Sequence, residues 1–395
     1  MDTTRRKTVL LLFFLSINAL LLSGCWDRTE VNDLAIITAT GLDLTEDHQL
    51  ELSVKIYLTS PSAPQQTSGM SDTSGEGAGK SVVRSAAGPT MADAVSKLQQ
   101  VITRKVFWGQ DEVFIFGESL AKEGLAGPME FLMRHPAPRE RANVFVSKGS
   151  AKDVLQLEPP IERSVADALR KMAESQTGLN ITMKELAQMM AGRAKAAVIP
   201  LVEIKPQQEN QEAFPFINGA AILKNGKLVG RMNDSATRGI MWLRNEVKRG
   251  TVTVSPKNTK GHVSLQLLRS HTELVPHIHG DNWSITVKIE TQDDIVENTT
   301  DLDLADPKHI EELETELGSD IKHRVNMALA QAQKKMNADI FNFADTFYRK
   351  YPKEWNQNKD RWDEIYPNVE VKLETNPKVA RPGMTGKSLF KPNQR

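Results

Sequence analysis

The chain has 395 residues, a quarter of them charged, and its 50 Lys and Arg balance its 50 Asp and Glu. A neutral chain has no global field to gather nucleic acid or anionic headgroups, so neither is expected to bind it electrostatically. One cysteine excludes an intramolecular disulfide, and the length allows two or three domains.

The chain opens with Arg5, Arg6 and Lys7, then runs apolar from Val9 to Leu22, broken only by Ser16 and Asn18. That is short of the roughly 20 residues a spanning helix needs and falls within the roughly 7–15 of a signal h-region. Leu22, Ser23, Gly24 and Cys25 then match a lipobox, with small residues where the signal peptidase admits only small side chains. Residues 1–24 are therefore expected to be a lipoprotein signal peptide. Cleavage between Gly24 and Cys25 would free an amine for N-acylation, and the thiol would carry S-diacylglycerol. One acyl chain anchors marginally, whereas two or more anchor stably. Cleavage removes only three of the basic and one of the acidic side chains, so the membrane link is expected to be lipid rather than charge. No later apolar stretch approaches spanning length, and no pore or transporter is expected.

Leu34-Ala35-Ile36-Ile37 is a strand-like run, and Gly41, Asp43 and Thr45 to His48 read as a turn. Leu50, Leu52, Val54, Ile56 and Leu58 alternate with polar residues, predicting a second, half-buried strand and a hairpin close to the membrane. Residues 59–88, rich in Ser, Gly, Thr, Pro and Ala, are expected to be a flexible loop. Met91, Ala94, Val95, Leu98, Val101 and Ile102 keep helical spacing. Short strands are expected at 106–108, 113–116 and 144–146, and a helix from Ser119 to Met133 that His135-Pro136-Ala137-Pro138 stops. Short helices then reach about Arg193, and Pro200 and Pro206 punctuate the end of an N-terminal domain, 25–200.

A small middle domain, 201–255, holds two apolar runs around Asn225-Gly226, a turn whose residues both tolerate φ > 0. A helix near Asp234 to Asn245 follows. The C-terminal domain, 256–375, opens with strands at 263–268 and 283–289. Asp306 as N-cap and Pro307 at N1 start a long helix. Apolar residues from Ile310 to Phe343 keep 3–4 spacing, Gly318 softens it, and Tyr351-Pro352 ends it. Val369, Val371 and Leu373 make a last strand before a polar tail, 376–395. The fold class is α+β, with mixed or antiparallel sheets flanked by helices and the long C-terminal helix packed on a small sheet.

The motifs for chemistry are incomplete. Ser74 to Ser81 nearly spells a phosphate-cradling loop, but Ser74 replaces the first glycine and no strand precedes it. Gly386-Lys387-Ser388 lacks the upstream glycine. His271, His277 and His279 are the densest histidine group, yet no further ligands stand at usable spacing, so no metal is expected. There is no Gly-x-Ser-x-Gly elbow, and an acylated Cys25 is no nucleophile. Asp293-Asp294 and Glu311-Glu312 are adjacent pairs expected to be solvated. No catalytic residue, enzymatic activity or cofactor is expected.

Several segments together resemble one family. They are Cys25-Trp26-Asp27-Arg28-Thr29-Glu30, Leu34 to Ala39, Gly41-Leu42-Asp43, and Val113 to Ala121. Arg141 to Gly149, Gly219 to Leu223, Lys227 to Gly230 and Arg238-Gly239-Ile240-Met241-Trp242-Leu243 continue the likeness. In succession they resemble the Ger(x)C family, the C-subunit lipoproteins of spore germinant receptors. The resemblance implies a three-domain α+β protein of an endospore-forming Gram-positive bacterium, lipid-anchored at the outer face of the spore inner membrane. It also implies assembly with a membrane A subunit and a multispanning B subunit in nutrient-triggered germination, without catalysis. The alternative, a lipid-anchored solute-binding protein of a transporter, would need two lobes of repeated βαβ units.

Overall fold

The computed structural model describes residues 7–14, 30–58, 81–135, 138–175, 178–206, 213–257 and 259–381. The larger of its two sheets holds β1 (Leu34–Leu44), β2 (Leu50–Tyr57), β3 (Ser81–Gly88), β4 (Lys105–Phe107), β5 (Val113–Phe116), β6 (Asn143–Ser147), β7 (Ala196–Lys205), β8 (Phe214–Lys224) and β9 (Lys227–Met232). Their order is β3-β2-β1-β5-β6-β7-β8-β9, with β4 beside β1. The centre, β1-β5-β6-β7, is parallel, and an antiparallel ribbon extends each side. The smaller sheet runs β10 (Thr251–Val254), β11 (Val263–His279), β12 (Asn282–Asn298), β13 (Glu370–Arg381), with β13 parallel to β12.

Helices α1 (Met91–Val101), α2 (Glu118–Glu123), α3 (Ala126–Arg134), α4 (Ala151–Leu155), α5 (Val165–Glu174) and α6 (Met183–Ala191) flank the large sheet. Then come α7 (Asp234–Leu243), the long α8 (Pro307–Leu329), α9 (Phe343–Lys350), α10 (Pro352–Asn358) and α11 (Trp362–Ile365). One apolar core runs from Ala35 and Leu98 through Trp242 to Leu317, Ile321 and Trp355, so both sheets share it. A smaller cluster, including Ile115, Phe145 and Leu169, fills the other face of the large sheet.

The fold class and most elements agree with the sequence pattern. The Asn225-Gly226 turn joins β8 to β9 with φ of 50° and 75°, and Asp306 caps α8 through the Lys308 N–H at 2.9 Å. Four of the expected element boundaries need correction. Of the stretch expected as a loop, 59–80 lies outside the described residues, but 81–88 is β3, paired with β2 along its length. As a partly buried edge strand, it needs little apolar character. The helix expected over 119–133 is two helices, because Gly124 turns the chain at φ +142°. The long helix ends at Leu329, passes through π-helical Ala330–Lys335, and reverses at Asn337 and Asn342, both with positive φ, before α9. Finally, β13 runs to Arg381, past the expected start of the tail; as an edge strand it tolerates Pro377.

Three ionisable side chains sit inside the large sheet's surroundings. Asp43 lies in β1, not in a turn, and accepts the N–H groups of Ala151 (2.8 Å) and Lys152 (2.9 Å) and the Ser150 hydroxyl, closing the N-terminus of α4. Lys55, 1% exposed, closes the other end, donating to the carbonyls of Leu155 (3.0 Å) and Leu157 (3.1 Å) and to Glu158 (2.7 Å). Asp111 is fully buried, bonded to the Thr40 hydroxyl, and its Oδ1 has no hydrogen-bond partner among the described residues. Burial pushes its carboxyl up to about 8, so it is largely protonated at neutral pH.

The folded chain keeps a proton on Asp111 that the unfolded chain releases near pH 4, so stability falls as pH rises from about 4 to about 8. Asp293 and Asp339, raised to about 6, act in the same direction but only over the lower half of that range. Asp111→Asn keeps the shape and the Thr40 contact without the titration. Melting temperatures between pH 6 and 8 should therefore fall less in this variant than in the parent; equal slopes would refute a protonated Asp111.

Candidate functional site

The lipobox residues Leu22, Ser23, Gly24 and Cys25 lie outside the described residues, as do Ser74 to Lys80 and Gly386 to Ser388. Among the described residues no helix is long and apolar enough to cross a membrane, and no three His, Cys, Asp or Glu side chains gather as metal ligands. His271, His277 and His279 face Glu290, Ser284 and Asn282 across the β11–β12 ribbon. Glu311 and Glu312 are exposed on α8, as expected. Asp293 is not solvated as expected: it is 2% exposed, because its side chain falls on the inner face of β12, under α8.

A small cavity lies where the two sheets meet. Asn233 caps α7 by accepting the Ala236 N–H at 3.0 Å, and the helix then runs directly across α8. The crossing is close because Gly239 has no side chain: a Cβ there would lie 2.1 Å from the Arg324 carbonyl oxygen. On the other flank of α8, a Cβ on Gly318 would lie 2.8 Å from the Thr375 hydroxyl on β13. Gly318 thus serves close packing, where the sequence suggests only a soft point.

Between α7, α8, β10 and β12 remains a cavity of about 240 Å³. Leu267, Leu317, Ile321 and Trp242 form much of its wall, with Arg238 and the Thr291–Asp293 pair as polar features. The Thr291 hydroxyl donates to Asp293 Oδ2 at 2.6 Å. Desolvation raises the Asp293 carboxyl to about 6, with Asp294 adding like-charge repulsion, so it is mostly ionised at pH 7. Arg324, also in the wall, is committed to Asp320 at 2.7 Å. Asp234 and Arg238 line this cavity and also a broader, mainly apolar cleft of about 1110 Å³ between α5 and the start of β8, where Met172, Phe214, Pro215 and Phe216 are exposed to it.

Sequence reasoning did not single out Arg238 or Asp293 as site residues. Arg238 belongs to the segment Arg238 to Leu243 that resembles the family, but only the fold shows that its side chain lines a cavity.

Comparison with known proteins matches two family models along the chain. Residues 27–204 fit the spore germination protein N-terminal domain, and residues 218–383 fit the spore germination B3/GerAC like, C-terminal family. Spore germination protein KC of Bacillus subtilis is 28% identical over 96% of this chain and 97% of its own. Spore germination protein B3 of the same organism is 23% identical over 93% and 96%, and spore germination protein GerQC of Bacillus cereus is 20% identical over 95% and 99%. The crystal structure of the GerBC protein superposes with a TM-score of 0.53 at 18% identity, covering 86% of this chain and 96% of that one, which establishes a shared fold.

Gly239 gives a test of the crossing. Helix propensity alone would make Gly239→Ala stabilising by about 1 kcal/mol. The clash with backbone instead predicts a net loss of about 1–3 kcal/mol, read as a lowered denaturation midpoint; a raised midpoint would show that α7 and α8 are not in contact there.

Proposed function

We infer the function from one premise: the chain belongs to the Ger(x)C family of spore germination proteins. We propose that it is the lipid-anchored C subunit of a nutrient germinant receptor. In this reading the lipid on Cys25 holds the protein at the outer face of the spore inner membrane, and it assembles there with membrane-embedded A and B subunits. The observation that carries the reading is the succession of both family domains over nearly the whole chain behind a lipobox. Its role is docking and not chemistry, in keeping with the incomplete motifs for nucleophile, metal and nucleotide.

Tethering has a calculable consequence. Only eight residues, 26–33, separate Cys25 from Leu34, where β1 begins. At no more than about 3.6 Å per residue, the start of the first strand of the large sheet stays within about 32 Å of the lipid headgroups. Confinement to that layer raises the effective concentration toward membrane partners, so a modest interface suffices. The docking surface is accordingly assigned to the large-sheet half of the molecule, which the tether holds nearest the bilayer.

Cys25→Ala should move the protein from the membrane to the soluble fraction, and mass spectrometry of the wild-type N-terminal peptide should find acylated Cys25; an unmodified Cys25 in the membrane fraction would rule out the anchor. Deletion of the gene should abolish germination on at least one nutrient, and the tagged protein should co-purify with its A and B subunits. Normal germination of the deletion strain on every nutrient, with no membrane subunit recovered, would overturn the receptor reading.

A further inference from the structure

Of the charged side chains lining the cavity at the α7–α8 crossing, Arg324 is paired with Asp320, whereas Arg238 and Asp293, of opposite sign, do not meet. Arg238 is part-buried on α7, and its guanidinium forms no ion pair or hydrogen bond among the described residues. It lies over the bare backbone of Gly250: a Cβ there would come within 3.0 Å of Nη1. Asp293, on β12, has its Oδ2 occupied by the Thr291 hydroxyl, and among the described residues no donor is bonded to Oδ1. Although both residues line the same cavity, they form no ion pair with each other, and no arginine or lysine lies near enough to Asp293 to lower its pKa.

An unpaired charge withdrawn from water is costly unless something restores its partner. A fold that needed only stability would bring such groups together or fill the space with apolar side chains. Here the space between them stays open, walled mainly by Trp242 and aliphatic residues, with Asp234, Thr251 and the Asp320-paired Arg324 completing the lining. The counter-charges missing at the two ends are a carboxylate for Arg238, whose planar fork suits bidentate binding, and an ammonium for Asp293.

We propose that this cavity binds a small zwitterion of the α-amino-acid type, its carboxylate on Arg238, its ammonium on Asp293, and a short apolar side chain against Trp242. The volume limits the size. At about 30 Å³ per water-sized group, 240 Å³ holds about eight heavy atoms, the size of valine and well short of a nucleotide or disaccharide. Entry is from the apolar cleft, whose wall shares Asp234 and Arg238 with the cavity. This goes beyond the receptor reading. It is tested on the isolated protein, so it stands or falls apart from any germination assay.

The full chain in detergent micelles is titrated with glycine, L-alanine and L-valine, followed by saturation-transfer NMR and calorimetry. Isovalerate and isobutylamine, each lacking one charge of valine, serve as comparison ligands. At least one amino acid should saturate below about 10 mM, with the half-ligands at least about tenfold weaker. Arg238→Gln and Asp293→Asn should each weaken binding by at least about tenfold, and Arg238→Lys by less, because it keeps the charge and loses only the fork. The comparison of whole with half-ligands uses the unaltered protein, so it decides the matter even where a variant folds poorly. No saturable binding of any of the three up to about 10 mM, half-ligands binding as well as valine, or full binding in both well-folded charge variants would each overturn the proposal.

Discussion

Helix α8 is held between two partners by two missing side chains. Gly239 brings the backbone of α7 against its Arg324 turn, and Gly318 brings β13 against its opposite flank. Because α7 follows directly from the last strand of the large sheet, and β13 is the edge of the small one, this double contact joins the two sheets. The apolar core is continuous as a result: Trp242 and Ile240 from α7 and Leu317, Ile321 and Val325 from α8 belong to the same cluster as Leu52 and Val54 in β2. Displacing α8 by even the width of a methyl group would disturb packing on both sides, since close-packed interiors have no slack to absorb it.

Elements set by local chemistry were legible in the sequence. The Asn225-Gly226 hairpin, the Asp306-Pro307 helix start and the 3–4 spacing of Leu313, Leu317 and Ile321 each carry their own cause. The misread elements depend on distant partners. Residues 81–88 look like linker because an edge strand with partly buried side chains needs no strong apolar signature; its identity as β3 comes from pairing with β2. The strands β5 and β6, by contrast, were legible as short continuous apolar runs, because parallel central strands are buried on both faces and carry no alternation. The long helix was extended too far because apolar spacing continues through Ile340 and Phe343, while the actual break is made by asparagines in left-handed backbone and by the Asp339 carboxylate. That carboxylate accepts the N–H groups of Phe341, Phe343 and Ala344, an arrangement that composition does not reveal.

The site was harder to read than the fold, and the buried acids show why. Asp43, Asp111, Asp293 and Asp339 all have raised pKa values caused chiefly by desolvation, yet they are served unequally. Asp43 and Asp339 lie at the first turns of helices, where exposed N–H groups offset burial. Asp111 is kept protonated. Asp293 has one hydroxyl and an open cavity. In sequence these are four ordinary aspartates, and Asp293-Asp294 reads as a solvated pair. Only the assembly of β12 under α8 distinguishes them, so a buried cavity-lining carboxylate of this kind has no local signature.

The cavity's position has consequences for how occupancy would be felt. A ligand shifts a conformational equilibrium only by the difference in its affinity for the two states. Arg238 is on α7 and Asp293 on β12, so a zwitterion spanning them would bind best at one separation of the helix from the small sheet. That separation is also what Gly239 fixes, and it sets how the two halves of the shared core meet. A site on a distant loop could fill and empty without consequence for packing; one beside this crossing cannot. In the proposed lipid-anchored arrangement, with the large sheet nearest the bilayer, a change at the crossing would be expressed as movement of the small sheet relative to that base, where partners confined to the same surface would meet it.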